Sequence, residues 1–302
     1  MRQVHRWLLV AAACLAATPL WSAAAENPAA EKPAGEKINV LIIDGQHNHN
    51  WKATTPAVKD ILLKTGRFNV DVVTAPGRKA PKADWEKFRP DFSKYGVMLC
   101  NYSGTPWPKE VCKAFEEYMA NGGGLVFYHA AVFAFPQWKE WNLMMGMGWR
   151  NAKYGDRLTI DEAGKVVRTP KGEGPGGGHG PQHAFEMTVR DADHPVMKGM
   201  PAKWQHVKDE LYHGMRGPAK DVHILATAFS DKKTRGTGTN EPIVWTVPYG
   251  KGRVFVSVLG HDVRATIVPD AAALLARGAE WAATGKVTLP VPKELAAPAK
   301  SE

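Results

Sequence analysis

Histidines recur in this sequence where apolar runs end. The chain carries 11 histidines in 302 residues, and three runs that read as buried strands lead directly into polar clusters containing them. Ile38 to Ile43 opens into Asp44-Gly45-Gln46-His47-Asn48-His49-Asn50-Trp51. Leu125 to Tyr128 opens into His129-Ala130-Ala131, and Val254 to Leu259 into Gly260-His261-Asp262. An imidazole exchanges protons near neutral pH and offers a nitrogen lone pair to a metal, so it serves as acid, base or ligand. Any one of these histidines reads equally well as a solvated or capping side chain; their common position after strands is the functional signal. A fourth cluster, Asp209-Glu210-Leu211-Tyr212-His213, sets two acids beside a phenol and an imidazole, against the plain reading of a turn with exposed acids. His179 and His183 flank Gly180-Pro181 in a glycine-rich stretch, where backbone freedom positions side chains poorly.

The elements that must position these residues alternate strand with helix. Thr55 and Pro56 predict a helix with Thr55 as cap and Pro56 in its first position, stopped by Gly66. Phe68 to Val73 and Val97 to Cys100 read as strands, and Pro108 to Ala120 as a helix with Val111, Phe115 and Tyr118-Met119 on one face. This order predicts an α/β fold, a mostly parallel sheet flanked by helices in flavodoxin-like fashion. Such sheets bind ligands beyond the carboxyl ends of their strands, which is where the histidines fall. The rhythm breaks after Met147. Asn151 to Gly180 is rich in Gly, Lys and Pro and reads as a long Gly-rich insertion without regular structure, a surface loop or a lid ordered only by ligand. Strands resume at Phe185 to Val189, His223 to Thr227 and Ile243 to Val247, and Pro269 to Ala283 reads as a closing helix.

The termini carry no chemistry of this kind. Arg2 and Arg6, the apolar run Trp7 to Ala17 and Ala23-Ala24-Ala25 predict a signal peptide over residues 1–25, cleaved after Ala25. The run is far short of the roughly 20 residues that span a bilayer. A retained anchor and, through Cys14, a lipoprotein are the competing readings. Residues 26–37 read as a flexible linker, 38–288 as one domain and 289–302 as a disordered tail. Cleavage removes two arginines and no acid, so the formal charge of +9 becomes +9 − 2 = +7. The basic residues are dispersed rather than clustered, so no nucleic acid partner is expected. No stable membrane span would remain, and the expected location is secreted or periplasmic. Export permits a disulfide between Cys100 and Cys112, although two small buried residues is the simpler reading.

Several motifs together resemble a known family. They are Gly122-Gly123-Gly124 before the run into His129, His194-Pro195 with Trp204 and Asp209-Glu210-Leu211-Tyr212, Pro242 to Trp245, Tyr249-Gly250-Lys251-Gly252-Arg253-Val254, Gly260-His261-Asp262, and Glu280-Trp281-Ala282. In this order they resemble the ThuA-like (trehalose utilisation) family from Ile38 to Thr284. The resemblance implies a class I glutamine amidotransferase-like fold and a role in disaccharide or keto-sugar catabolism. Those amidotransferases place a cysteine on a sharp turn after a central strand and draw His and Glu from a later one. Here His129 holds the elbow and His261-Asp262 the later pair, so no thiolate nucleophile is available and glutaminase activity is not expected.

Two function classes follow. In the first, an enzyme acts on a small-molecule carbohydrate, with His129 and His261 as acid/base groups and Asp262 or Glu210 orienting one of them. His47, His49, Trp51, Tyr212 and His183 would contact substrate, with Trp107 and Trp138 as further stacking candidates. A divalent metal such as zinc could sit on His129, His261 and Glu210. In the second, the same cleft binds a sugar without turning it over.

Overall fold

The computed structural model describes residues 36–295; the expected signal peptide, most of the expected linker and the last residues of the expected tail lie outside them. β1 (Ile38–Asp44) is the buried β-branched run anticipated above, and α1 (Trp51–Lys64) carries the chain to β2 (Phe68–Thr74), parallel to it. After the short α2 (Lys82–Lys87), β3 (Val97–Cys100) pairs with the other edge of β1, again parallel. α3 (Lys109–Ala120) buries Val111, Phe115 and Met119 and returns to β4 (Gly124–Tyr128), parallel to β3. Next come α4 (Lys139–Met145), β5 (Arg157–Ile160), β6 (Val166–Thr169), β7 (Gly178–His179), β8 (His183–Val189), β9 (Lys203–Asp209) and β10 (Tyr212–His213). Then follow β11 (His223–Phe229), β12 (Asn240–Tyr249), β13 (Gly252–Ser257), α5 (Val263–Thr266) and α6 (Pro269–Thr284).

The main sheet runs β2-β1-β3-β4-β13-β12-β11-β8-β9. Its β2-β1-β3-β4-β13 half is parallel, and the remaining pairs from β13 to β9 are antiparallel. The fold is thus α/β with helices flanking a mixed sheet, half of which is parallel. Both halves share one apolar core. Among the described residues no helix is long and apolar enough to cross a membrane.

Four expectations change. α1 starts at Trp51, so Thr55 does not cap it and Pro56 lies inside it. Thr54 and Thr55 face inward instead, where both hydroxyls accept from Asn101 Nδ2 at the end of β3. The stretch from Asn151 to Gly180 is not free of regular structure: β5 and β6 form a hairpin that adjoins β12, and β7 pairs with β10. Arg216, 0% exposed, orders the rest by donating to the carbonyls of Gly155, Thr169, Pro170, Glu173 and Pro175. A side chain at Gly176 would meet Ala152 N and Arg150 O at 2.9 Å, so this glycine permits close packing rather than motion. At the far end, the Leu289 carbonyl accepts from Arg277, and Leu289, Val291 and Leu295 pack on the core, so order extends beyond residue 288. The cysteines keep to the simpler reading and are not among the changes: Cys100 and Cys112 are both free thiols, the first buried and the second half-buried. Trp107 and Trp138 belong to an aromatic core around Phe115 and Trp141, away from the histidine cluster.

Candidate active site

The carboxyl ends of β1, β4 and β13 bring their histidines to one place. At the end of β4 the backbone turns sharply, with φ 43° at His129, a left-handed conformation that costs a non-glycine residue about 1–3 kcal/mol and is concentrated at functional sites. The His129 ring is 1% exposed, and its Nδ1 donates to Val258 O at 2.8 Å. That bond leaves Nε2 facing the cluster, an acceptor while the ring is neutral and a donor to Glu210 once it is protonated. The Tyr212 hydroxyl donates to this Nε2 at 3.0 Å and lies 3.4 Å from His49 Nε2.

Glu210, 7% exposed between β9 and β10, is the common neighbour. Its Oε1 lies 3.0 Å from His261 Nδ1 and 3.5 Å from His179 Nε2, and its Oε2 lies 3.6 Å from His129 Nε2. The contact to His261 lacks hydrogen-bond angles, so His261 Nδ1 is buried with no hydrogen-bond partner among the described residues, and Glu210 Oε2 is likewise without one. Donor atoms of His49, His129, Glu210 and His261 all lie within 4.8 Å of one another, and these four could hold a metal ion. His47 is one layer out, with its Nδ1 accepting the His49 backbone N–H at 3.0 Å.

A buried carboxylate braces the site. Asp209 accepts from the backbone N–H groups of Glu210 (2.8 Å), Gly260 (2.7 Å) and His261 (3.1 Å), so one side chain suspends two of the clustered residues. Behind it, His206 lies between Asp209 Oδ2 (3.1 Å) and Asp270 Oδ2 (2.6 Å), and Trp204 Nε1 donates to the same Asp270 oxygen. These contacts tie β9 and the loop after β13 to α6.

The charges follow the geometry. Burial opposes ionisation of Glu210, but His129, with His179 and His261, outweighs it and holds the carboxyl at about 2. Burial likewise opposes the Asp209 charge, and His206, His129 and the Gly260 amide hold that group at about 2. Burial, then the proximity of His129 and the other clustered rings, pushes His47 down to about 3 and His49 to about 4, so both are neutral at physiological pH. Burial and the charges of Glu210 and Asp209 push the Tyr212 phenol far above its ordinary value, so it remains a donor.

The structure gathers His129, His261, Glu210, Tyr212 and His49, with His47 behind them, and adds His179, which β7 delivers by pairing with Tyr212 on β10. Other candidates lie elsewhere. Asp262 caps α5 by accepting from Ala265 N and pairs with exposed Arg264. The His183 ring bonds to Pro181 O and packs on Phe185. Trp51 faces a separate shallow cleft of about 330 Å³, with the Lys52 ammonium 5.7 Å from its ring centre. The aromatic wall of the site is instead Trp149, stacked on Phe133 at 4.5 Å and edge-on to Tyr212 at 4.8 Å. Its place where the strand–helix rhythm breaks was the signal available. For the brace, the signal was the i, i+3 spacing of His206 and Asp209.

Residues 39–282 match the ThuA family, described as trehalose utilisation. A ThuA-like protein from Parabacteroides merdae ATCC 43184 has a crystal structure that superposes with a TM-score of 0.82 at 45% identity, covering 86% of this chain and 95% of that one. A ThuA-like protein from Bacteroides uniformis ATCC 8492 superposes with a TM-score of 0.55 at 22% identity, covering 85% and 96%. No curated protein matches the chain. The match runs from the second residue of β1 to near the end of α6 and takes in every residue of the cluster, so the chain belongs to the ThuA family.

Proposed function

We propose that this protein is an exported enzyme that processes a disaccharide or keto-sugar at the histidine–carboxylate cluster. One observation carries the reading: His129, His179 and His261 surround the buried Glu210 carboxylate at 3.6, 3.5 and 3.0 Å, at the sheet edge where α/β folds bind ligands. Family membership points to trehalose utilisation. The chemistry suits a sugar. Half-buried Trp149 offers apolar ring surface to a sugar, the Tyr212 hydroxyl can donate to a hydroxyl or carbonyl oxygen, and the imidazoles can pass protons under the charge of Glu210. Glutaminase activity is not part of the proposal, since the elbow residue is an imidazole and Cys100 and Cys112 lie off the elbow.

The test is turnover of keto-disaccharides, measured beside calorimetric binding of the parent sugars. His129→Ala and His261→Ala should each lower turnover about a hundredfold to ten-thousandfold while the fold persists. The double variant should lose little more than either single, because groups acting as a unit are not additive. If both single variants kept near-normal rates while Trp149→Ala lost binding, the protein would be a sugar-binding protein instead. Export has its own test: mature protein from its native host should begin at Glu26, and a mature chain retaining Met1 to Ala25 would sink that part.

A further inference from the structure

We infer that His49, His129, His261 and Glu210 form a binding site for one divalent first-row transition-metal ion, with zinc as the reference ion. The inference concerns the same pocket as the sugar reading but stands without it, because an ion is measured with no substrate present.

Four segments distant in sequence deliver the donors: the loops after β1, β4 and β13, and the β9–β10 connection. Zinc takes imidazole nitrogen and carboxylate oxygen at about 2.0–2.2 Å, which sets donors on opposite sides of an ion about 4.2 Å apart and tetrahedral neighbours about 3.4 Å apart. The largest separation among the four donor atoms here is within 4.8 Å, so the site closes on an ion by contractions of roughly 1 Å, within reach of side-chain rotation.

The lone pairs are also oriented for it. Ligating imidazoles characteristically donate their other nitrogen to a carbonyl or carboxylate, and His129 does so to Val258 O, presenting Nε2 inward. His261 Nδ1 and Glu210 Oε2 are buried without hydrogen-bond partners among the described residues, an arrangement that is costly if left so. A cation between them satisfies both. The competing account is a proton shared between His261 and Glu210, but their 3.0 Å approach lacks hydrogen-bond angles. Asp209 then serves as the outer support that metal sites need, since it fixes the backbone at both Glu210 and His261.

The donor set selects the ion. Three imidazoles and one carboxylate are too rich in nitrogen for calcium or magnesium, which take oxygen ligands, and no thiolate is present to recruit copper(I). Tyr212 and His179 flank the cluster on the side of Trp149, where a water or a sugar oxygen would add a fifth ligand.

The experiment uses untagged protein, purified, stripped with a chelator and titrated with zinc and with cobalt(II). Stoichiometric binding, cobalt absorption bands of a nitrogen–oxygen site and a rise in melting temperature on zinc addition are expected. His129→Ala and His261→Ala should weaken binding at least tenfold to a hundredfold, and His223→Ala, on an exposed pair with Asp191, should bind as wild type. Because the wild-type titration and melting shift need no variant, a misfolded substitution leaves the test intact. Absence of saturable binding to the wild-type protein, or equal binding by the His129→Ala/His261→Ala double variant, would overturn the site. Either result would leave the acid/base reading of the cluster standing, whereas an ion bound without any sugar turnover would count against that reading alone.

Discussion

Glu210 and His261 hang from a single carboxylate, so the geometry of the cluster depends on a residue that need not touch substrate. Asp209→Asn keeps the shape but removes the charge opposite His206 and replaces one accepting oxygen with a donor. As a positioning residue it should lower kcat about tenfold to a hundredfold with KM nearly unchanged, the loss typical of outer-layer partners. Steady-state kinetics on an identified substrate, with a far-ultraviolet spectrum to confirm the fold, would check this; a pure rise in KM would contradict it. At this scale the sequence made His129, His261 and Glu210 visible because two of them follow strand-like runs and the third sits in a dense polar cluster. Trp51 and Asp262 misled for a local reason. Both occupy the start of a helix, where a side chain serves the helix terminus or turns outward whatever its chemistry. His206 and Asp270 stayed hidden because they are distant in sequence and meet only when β9 packs beside α6.

A segment's order can be supplied from outside it. The glycines of residues 151–180 suggest freedom, yet Arg216 gathers five of that region's carbonyls and β7 is held by β10. Arg216→Met should therefore cost about 2 kcal/mol or more in urea unfolding. It should also open the segment to limited proteolysis at sites the wild type protects. Because this segment carries His179 against Glu210, activity should fall with protection. Wild-type cleavage there ahead of all other sites would show that the arginine does not hold it. Composition alone could not reveal the tether, since nothing within the segment encodes a partner located beyond it.

The two halves of the sheet share a core, and the strand runs that build them look alike in sequence. An apolar β-branched run reports burial on both faces but not the direction of its neighbours, so β8, β11 and β12 were legible as strands and not as topology, while β9, which alternates buried and exposed residues, was not read as a strand. The Asp270–His206–Asp209 chain joins α6 to the antiparallel half and gives the whole molecule a pH signature. Burial opposes the His206 charge, but its two carboxylates outweigh burial and raise it from 6.5 to about 9. A raised histidine stabilises the fold fully below its unfolded value of 6.5, and that contribution is lost as pH rises through about 9. The urea midpoint should accordingly fall between pH 7 and pH 10, and His206→Gln should be less stable at pH 7 with a flatter profile. An unchanged slope in that variant would assign the pH dependence to other groups.

β13, the last strand among the described residues, is inserted between β4 and β12 in the middle of the sheet. Until it arrives, β4 and β12 each present an unpaired edge, and unpaired edges invite pairing with other chains. Leu125 on β4 must find Val254 on β13, a long-range search of the kind that slows folding. His261 follows directly, so the cluster is assembled only when this final insertion is complete. A nascent or truncated chain can therefore display most of its secondary structure and still lack the cluster, which makes activity a stricter measure of complete folding than circular dichroism.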